Sequence, residues 1–172
     1  MILKRFFQNP PTPERLVYEA IVAAARHPQA YAEWGVPDNI DGRFDMISLH
    51  AFLILDRLKG SAQGFRQNLV DELFHDMDRS LREMGVGDVS VGKKVRRMAE
   101  VFYGRAAAYD RALIEGAEAL RLAVARNVFA DGASDVGLDG LTAHMLQARE
   151  HLANLPEAAI LTGQFDFREQ II

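Results

Sequence analysis

The chain has 172 residues, 49% hydrophobic and 26% charged, with a net charge of −4 and no cysteine. That length suits a single domain able to bury roughly 70% of the surface its unfolded chain exposes. The composition excludes disulfides, thiolate metal sites and cysteine nucleophiles, and the acidic balance speaks against a surface coated in positive charge for nucleic acid, DNA included, while leaving room for a local basic patch. In chain order, the stretch MILKRFFQNPPTP places Lys4 and Arg5 beside Ile2, Leu3, Phe6 and Phe7 before prolines break it. It is too short for the apolar core of a signal peptide and lacks the serines of a mitochondrial presequence. Residues 1–12 therefore read as a tail packing its aromatics on the domain, with a loose membrane touch as the alternative.

Helical periodicity then dominates. Thr12 caps a first helix with Pro13 and Glu14 in its opening turn, and Val17, Ala20, Ile21 and Ala24 mark one face. A short helix covers Gln29 to Trp34 and stops at Gly35; 35–42 is dense in breakers and reads as a loop. Phe44 to Leu58 is apolar on nearly every side, as a central helix of a bundle is, and starts near Asp41 or Gly42. Ser61 to Met84 carries a stripe of Phe65, Leu69, Leu73, Met77, Leu81 and Met84, ended by Gly85. Asp88 or Ser90 caps the next helix, which runs to about Leu113 with Gly104 inside it. Gly116 precedes another through Leu120, Val124 and Val128; 131–140 reads as a loop, about 140–154 as a helix, and Pro156 begins a last turn. The pattern predicts an all-α, single-domain bundle of about six to seven helices over 13–161, followed by a tail, 162–172, anchored by Phe165 and Phe167.

Chemical constellations are thin. Gly87, Gly92 and Lys93 have P-loop spacing, but Lys94 stands where Ser or Thr must bind magnesium, and a helix precedes the loop where a strand is required. Glu72 and His75 form one Glu-x-x-His step where a di-iron bundle needs two. His144 and His151 lack a clear third ligand and read as ordinary surface or capped histidines; His50, in the apolar helix, reads as a core histidine. Neither a metal nor a cofactor is expected. What remains is a change of charge. Asp71, Glu72, Asp76, Asp78 and Glu83 precede the turn, with Arg79 and Arg82; Lys93, Lys94, Arg96, Arg97 and Arg105 follow it. The lysines fall near a helix N-terminus, where the dipole disfavours cations and welcomes anions. Residues 93–97 thus read as a docking patch for phosphate or an acidic partner, with an ordinary solvated basic face as the bland alternative.

The same residues carry a resemblance. Asp76-Met77-Asp78-Arg79, then Leu81-Arg82-Glu83-Met84-Gly85-Val86-Gly87-Asp88, Val91-Gly92-Lys93 and Phe102-Tyr103-Gly104-Arg105 are similar to the ubiquinol–cytochrome c chaperone family, across roughly residues 10–155. The resemblance implies a non-enzymatic helical chaperone that binds newly made cytochrome b during assembly of the cytochrome bc1 complex. It further implies transient contact with the inner membrane from the cytoplasm, as in a bacterial member, and possible partners in the ribosome or a second assembly factor. The surface expected to meet a partner is Asp76, Asp78, Arg79, Arg82, Met84, Val86, Asp88, Lys93, Lys94, Arg96, Arg97, Tyr103 and Arg105, with Phe102 assigned to the core. Two other readings stand beside it: an RNA- or ribosome-binding module acting through the basic helix 93–105, and a small enzyme using His50 or His75.

Overall fold

The computed structural model describes residues 10–129 and 132–167. The aromatics Phe6 and Phe7 of the N-terminal tail and the last five residues of the C-terminal one lie outside the described residues. The order is α1 (Pro13–Ala25), α2 (Pro28–Ala32), α3 (Ile40–Arg57), α4 (Gln63–Glu83), α5 (Asp88–Glu115), α6 (Ala117–Val128), α7 (Asp135–Asn154) and α8 (Glu157–Leu161). Among the described residues there is no strand, and the chain is an all-α bundle.

Capping side chains set several boundaries. Thr12 Oγ1 accepts the Arg15 N–H at 3.2 Å, with Pro13 opening α1. Asn39 accepts the Gly42 N–H at 2.9 Å and starts α3 two residues before the first of the expected positions. Ser134 accepts the Gly137 N–H at 3.1 Å, so that 135–140, which read as loop, are helical. The glycines that suggested a loop there serve packing. A Cβ on Gly140 would lie 2.5 Å from the Trp34 indole, and one on Gly137 would run into the Trp34 backbone oxygen. The chain's one tryptophan is seated against α7 by these two absences. Ser90, expected as a cap, lies inside α5, which opens at Asp88 behind Gly87 with no side-chain cap.

The connection from α4 to α5 is a Schellman turn. Gly85 is left-handed (φ +83), the Val86 N–H reaches the Leu81 carbonyl at 3.0 Å, and the Gly85 N–H reaches that of Arg82 at 2.9 Å. α4 begins less comfortably, with Ala62 left-handed at φ +47 and no side-chain cap.

α3 forms the centre. Phe44 through Ile54 are buried without a break, and α1, α5, α6 and α7 all pack on it. Each fully buried leucine in it, such as Leu49 or Leu53, contributes about 1.5–3 kcal/mol relative to an exposed one. In α1 the buried face is Val17, Tyr18, Ile21 and Ala25, with Ala20 and Ala24 only partly covered. In α4 it is Leu69, Val70, Leu73, Met77 and Leu81, and Met84 leaves the stripe for solvent. Phe167 packs edge-on against the His50 ring, centroids 4.8 Å apart, with Phe165 beside it.

Candidate partner-binding site

The charged residues around the α4–α5 turn are organised mostly within their own helices. Arg79 binds Asp76, and the Arg82 guanidinium takes Asp78 at 2.6 Å and also Asp88, the one ion pair seen to cross the turn among the described residues. That bond to Arg82 holds the Asp78 carboxyl below its ordinary range, and the same partner holds the guanidinium's value up. Asp76 is anchored further: Oδ2 accepts the Tyr18 hydroxyl at 2.8 Å. Burial first, and this bond second, raise the Tyr18 phenol above its usual value. Asp76 thus ties α4 to α1 and is only 14% exposed, which makes it a support of the surface more than part of it.

Across the turn the basic residues behave differently. Arg97 pairs with Glu100 at 3.1 Å in its own helix. Lys93, Lys94 and Arg96 are exposed and make no hydrogen bond or ion pair among the described residues. α5 also starts earlier than a cap at Ser90 would place it. With Asp88 as the first helical residue, Lys93 and Lys94 fall in the second turn, past the reach of the dipole, and the first turn holds an acid of the favourable sign. The helix dipole therefore makes no anion site at 93–97. Three unneutralised cations on a solvated face remain.

Of the other expected partner residues, Met84 and Tyr103 are exposed, at 52% and 53%, and Val86 is half-buried under the turn. Phe102 is core, against Phe74 and the Tyr103 ring. Arg105 turns inward and binds Asp45 of α3, both largely buried. Burial pushes the Asp45 carboxyl up to about 6, against the pull of Arg105. The bond joins α3 to α5, and its Arg105 end is occupied.

The histidines separate. His75 is exposed on α4. His144, read as a surface residue, is buried: its Nε2 lies 3.0 Å from Nε2 of His50, and the Trp34 ring covers it at 5.2 Å. His50 Nδ1 lies 2.8 Å from the Met46 carbonyl, which only accepts. Nδ1 therefore carries a proton, and with both rings neutral His50 Nε2 accepts and His144 Nε2–H donates. Periodicity could not find this pair, because 94 residues separate its members. Among the described residues no group of three or more His, Asp or Glu side chains is placed to hold a metal, and no helix is long and apolar enough to cross a membrane.

The family model for the ubiquinol–cytochrome C chaperone matches residues 32–167. The chain belongs to this family. Its match takes in α3 to α8 and the whole surface just described. The crystal structure of the Cbp3 homolog from Brucella abortus is similar at 40% identity and a TM-score of 0.81, over 91% of this chain and 89% of that one. The ubiquinol-cytochrome-c reductase complex assembly factor 1 of Xenopus laevis is 24% identical over 157 residues, covering 88% of this chain and 78% of that protein.

Proposed function

We propose that this protein is a non-enzymatic assembly chaperone for the ubiquinol–cytochrome c reductase complex, and that its client is newly made cytochrome b. The family match across 32–167 carries this reading, and the Xenopus relative has assembly of that complex in its name. The partner surface is the α4–α5 hairpin from Asp76 to Tyr103, with Lys93, Lys94 and Arg96 as its unneutralised cations. A client bound for the inner membrane brings the chaperone into transient contact there; a ribosome or a second assembly factor are further partners under the same reading.

The test is recovery of cytochrome b with the tagged protein from membranes making the complex. Wild type is compared with a Lys93→Glu, Lys94→Glu, Arg96→Glu, Arg97→Glu variant whose melt matches. The expected result is cytochrome b with wild type and at least about tenfold less with the variant, as loss of charge complementarity predicts. Equal recovery would move the client surface elsewhere. Recovery with neither would remove cytochrome b as client, and ribosomal RNA released by salt would favour the nucleic-acid reading.

A further inference from the structure

Between the C-terminal half of α3 and the middle of α5 lies an open groove of about 300 Å³, lined also by Arg66 near the start of α4. Its walls include Leu55, Phe102, Tyr103, Ala106 and Ala107, so most of its surface is apolar. The two alanines keep the α5 wall low, which lets a rod-shaped partner approach the helix closely.

The charges around this groove are unequal. Lys59 Nζ is bound to Asp110 at 2.6 Å, and Asp56 accepts from Arg149 at 2.7 Å. Arg66 is the exception. Its Nε is buried with no hydrogen-bond acceptor, and no carboxylate among the described residues pairs with it. It stands one turn into α4, at the positive end of the helix, where the dipole opposes a cation. Nε itself is closed off, so a bound carboxylate would neutralise the guanidinium through a charge-assisted bond to its terminal nitrogens. The apolar walls and the unneutralised Arg66 define the complement: an apolar segment bearing an acidic side chain.

The α5 face that gives the groove Tyr103 and Asp110 runs on toward the start of the helix. Val89, Arg96, Tyr103 and Asp110 recur every seven residues and so share one helix face. Val89 is 97% exposed, and Arg96 lies about 10 Å along the axis from Tyr103. A straight track of this kind suits a helix, where a lipid would need only the end pocket.

We propose that this groove receives an apolar helical segment of the client, with Arg66 pairing to a carboxylate on it. The inference rests on the chaperone reading and names the contact that the reading leaves open.

The direct test uses the purified full chain and a fluorescein-labelled Leu/Ala-rich helical peptide with one central Glu, alongside its Gln twin, in an anisotropy titration. Wild type binds the Glu peptide about tenfold more tightly than the Gln peptide. Arg66→Gln abolishes that preference while leaving the Gln peptide's affinity unchanged, and Ala107→Trp, which fills the groove from an exposed position, weakens both. No binding of either peptide, equal affinities in wild type, or a preference that survives Arg66→Gln overturns the proposal. So does binding to phosphatidylglycerol vesicles that is lost with Arg66→Gln while neither peptide binds, which assigns Arg66 to a lipid phosphate. Recovery of cytochrome b from membranes with the same variants separates the two levels. If wild type and Ala107→Trp recover it equally, the groove is not the client site and the chaperone reading stands. If wild type recovers none, the client assignment fails, and the peptide titration still decides whether the groove takes an acidic apolar helix.

Discussion

α3 and α5 are packed against each other and answer to different demands. α3 buries Phe44 through Ile54 without interruption, whereas α5, the longest helix at 28 residues, fully buries only Val91, Phe102, Tyr109 and Ala112. The apolar residues of α3 are placed by packing. α5 keeps Val89, Tyr103 and Ile114 in solvent, strings cations along its first half, and contains Gly92 and Gly104, near which a Cβ would meet nothing within 4 Å. No close approach requires those two glycines, and glycine inside a helix is destabilising by about 0.5–1 kcal/mol relative to alanine. Packing within the bundle does not account for the residues along this exposed length.

The largest expected contrast follows from burial alone. Leu53→Ala, at a site with no exposure, should cost about 2–5 kcal/mol in a urea melt, and Ile114→Ala, 82% exposed on α5, should stay within about 0.5 kcal/mol. Similar losses would mean that α5 is covered in solution.

The next effect sits on the bond that joins the two helices. Asp45 titrates at about 6 in the folded protein against an ordinary 3.8, so the fold retains a proton that the unfolded chain releases between those values. That contribution is full below pH 3.8 and is lost as the pH rises through 6, a change of roughly 3 kcal/mol. Asp45→Asn deletes it. The wild-type stability measured relative to the variant should therefore fall by that order between about pH 4 and pH 7. A flat difference would show that Arg105 holds the carboxylate charged throughout.

Smaller again are the glycines, where the sign should reverse between helices. Gly140→Ala on α7 forces a Cβ into the Trp34 indole and should cost about 1–3 kcal/mol, with a changed near-ultraviolet tryptophan signal. Gly92→Ala and Gly104→Ala on α5 should each add about 0.5–1 kcal/mol to the melt. Loss of stability at either would reveal a close approach that the open surroundings of these glycines do not contain.

How much of this was legible in the sequence depended on distance along the chain. Local patterns gave the helices: Thr12 and Pro13 opened α1, Gly85 closed α4, Gly116 separated α5 from α6, and the unbroken apolar run of α3 announced the centre. Boundaries slipped at Asn39 and Ser134, where a capping residue stands among breakers and the two resemble each other in composition. The charged turn was readable because its residues are consecutive. The groove was not, since α3 and α5 give it most of its residues, α4 adds only Arg66, and Arg66 is marked only by what fails to reach it. Nor did any pattern foretell that Arg105 turns in to Asp45 across 60 positions.

The imidazole pair between α3 and α7 bears on how this bundle avoids packing wrongly. Leucine and alanine faces are interchangeable, so α7 slid by one turn, about 5.4 Å, against α3 would still bury much of its apolar surface. The same slide would separate His50 from His144 and leave ring nitrogens of both without each other in the interior, at about 1–3 kcal/mol for each unmet group. A single 3.0 Å bond thereby sets one alignment of the two helices apart from its neighbours, and with it the position of the α3 wall on which Arg105 and the groove depend.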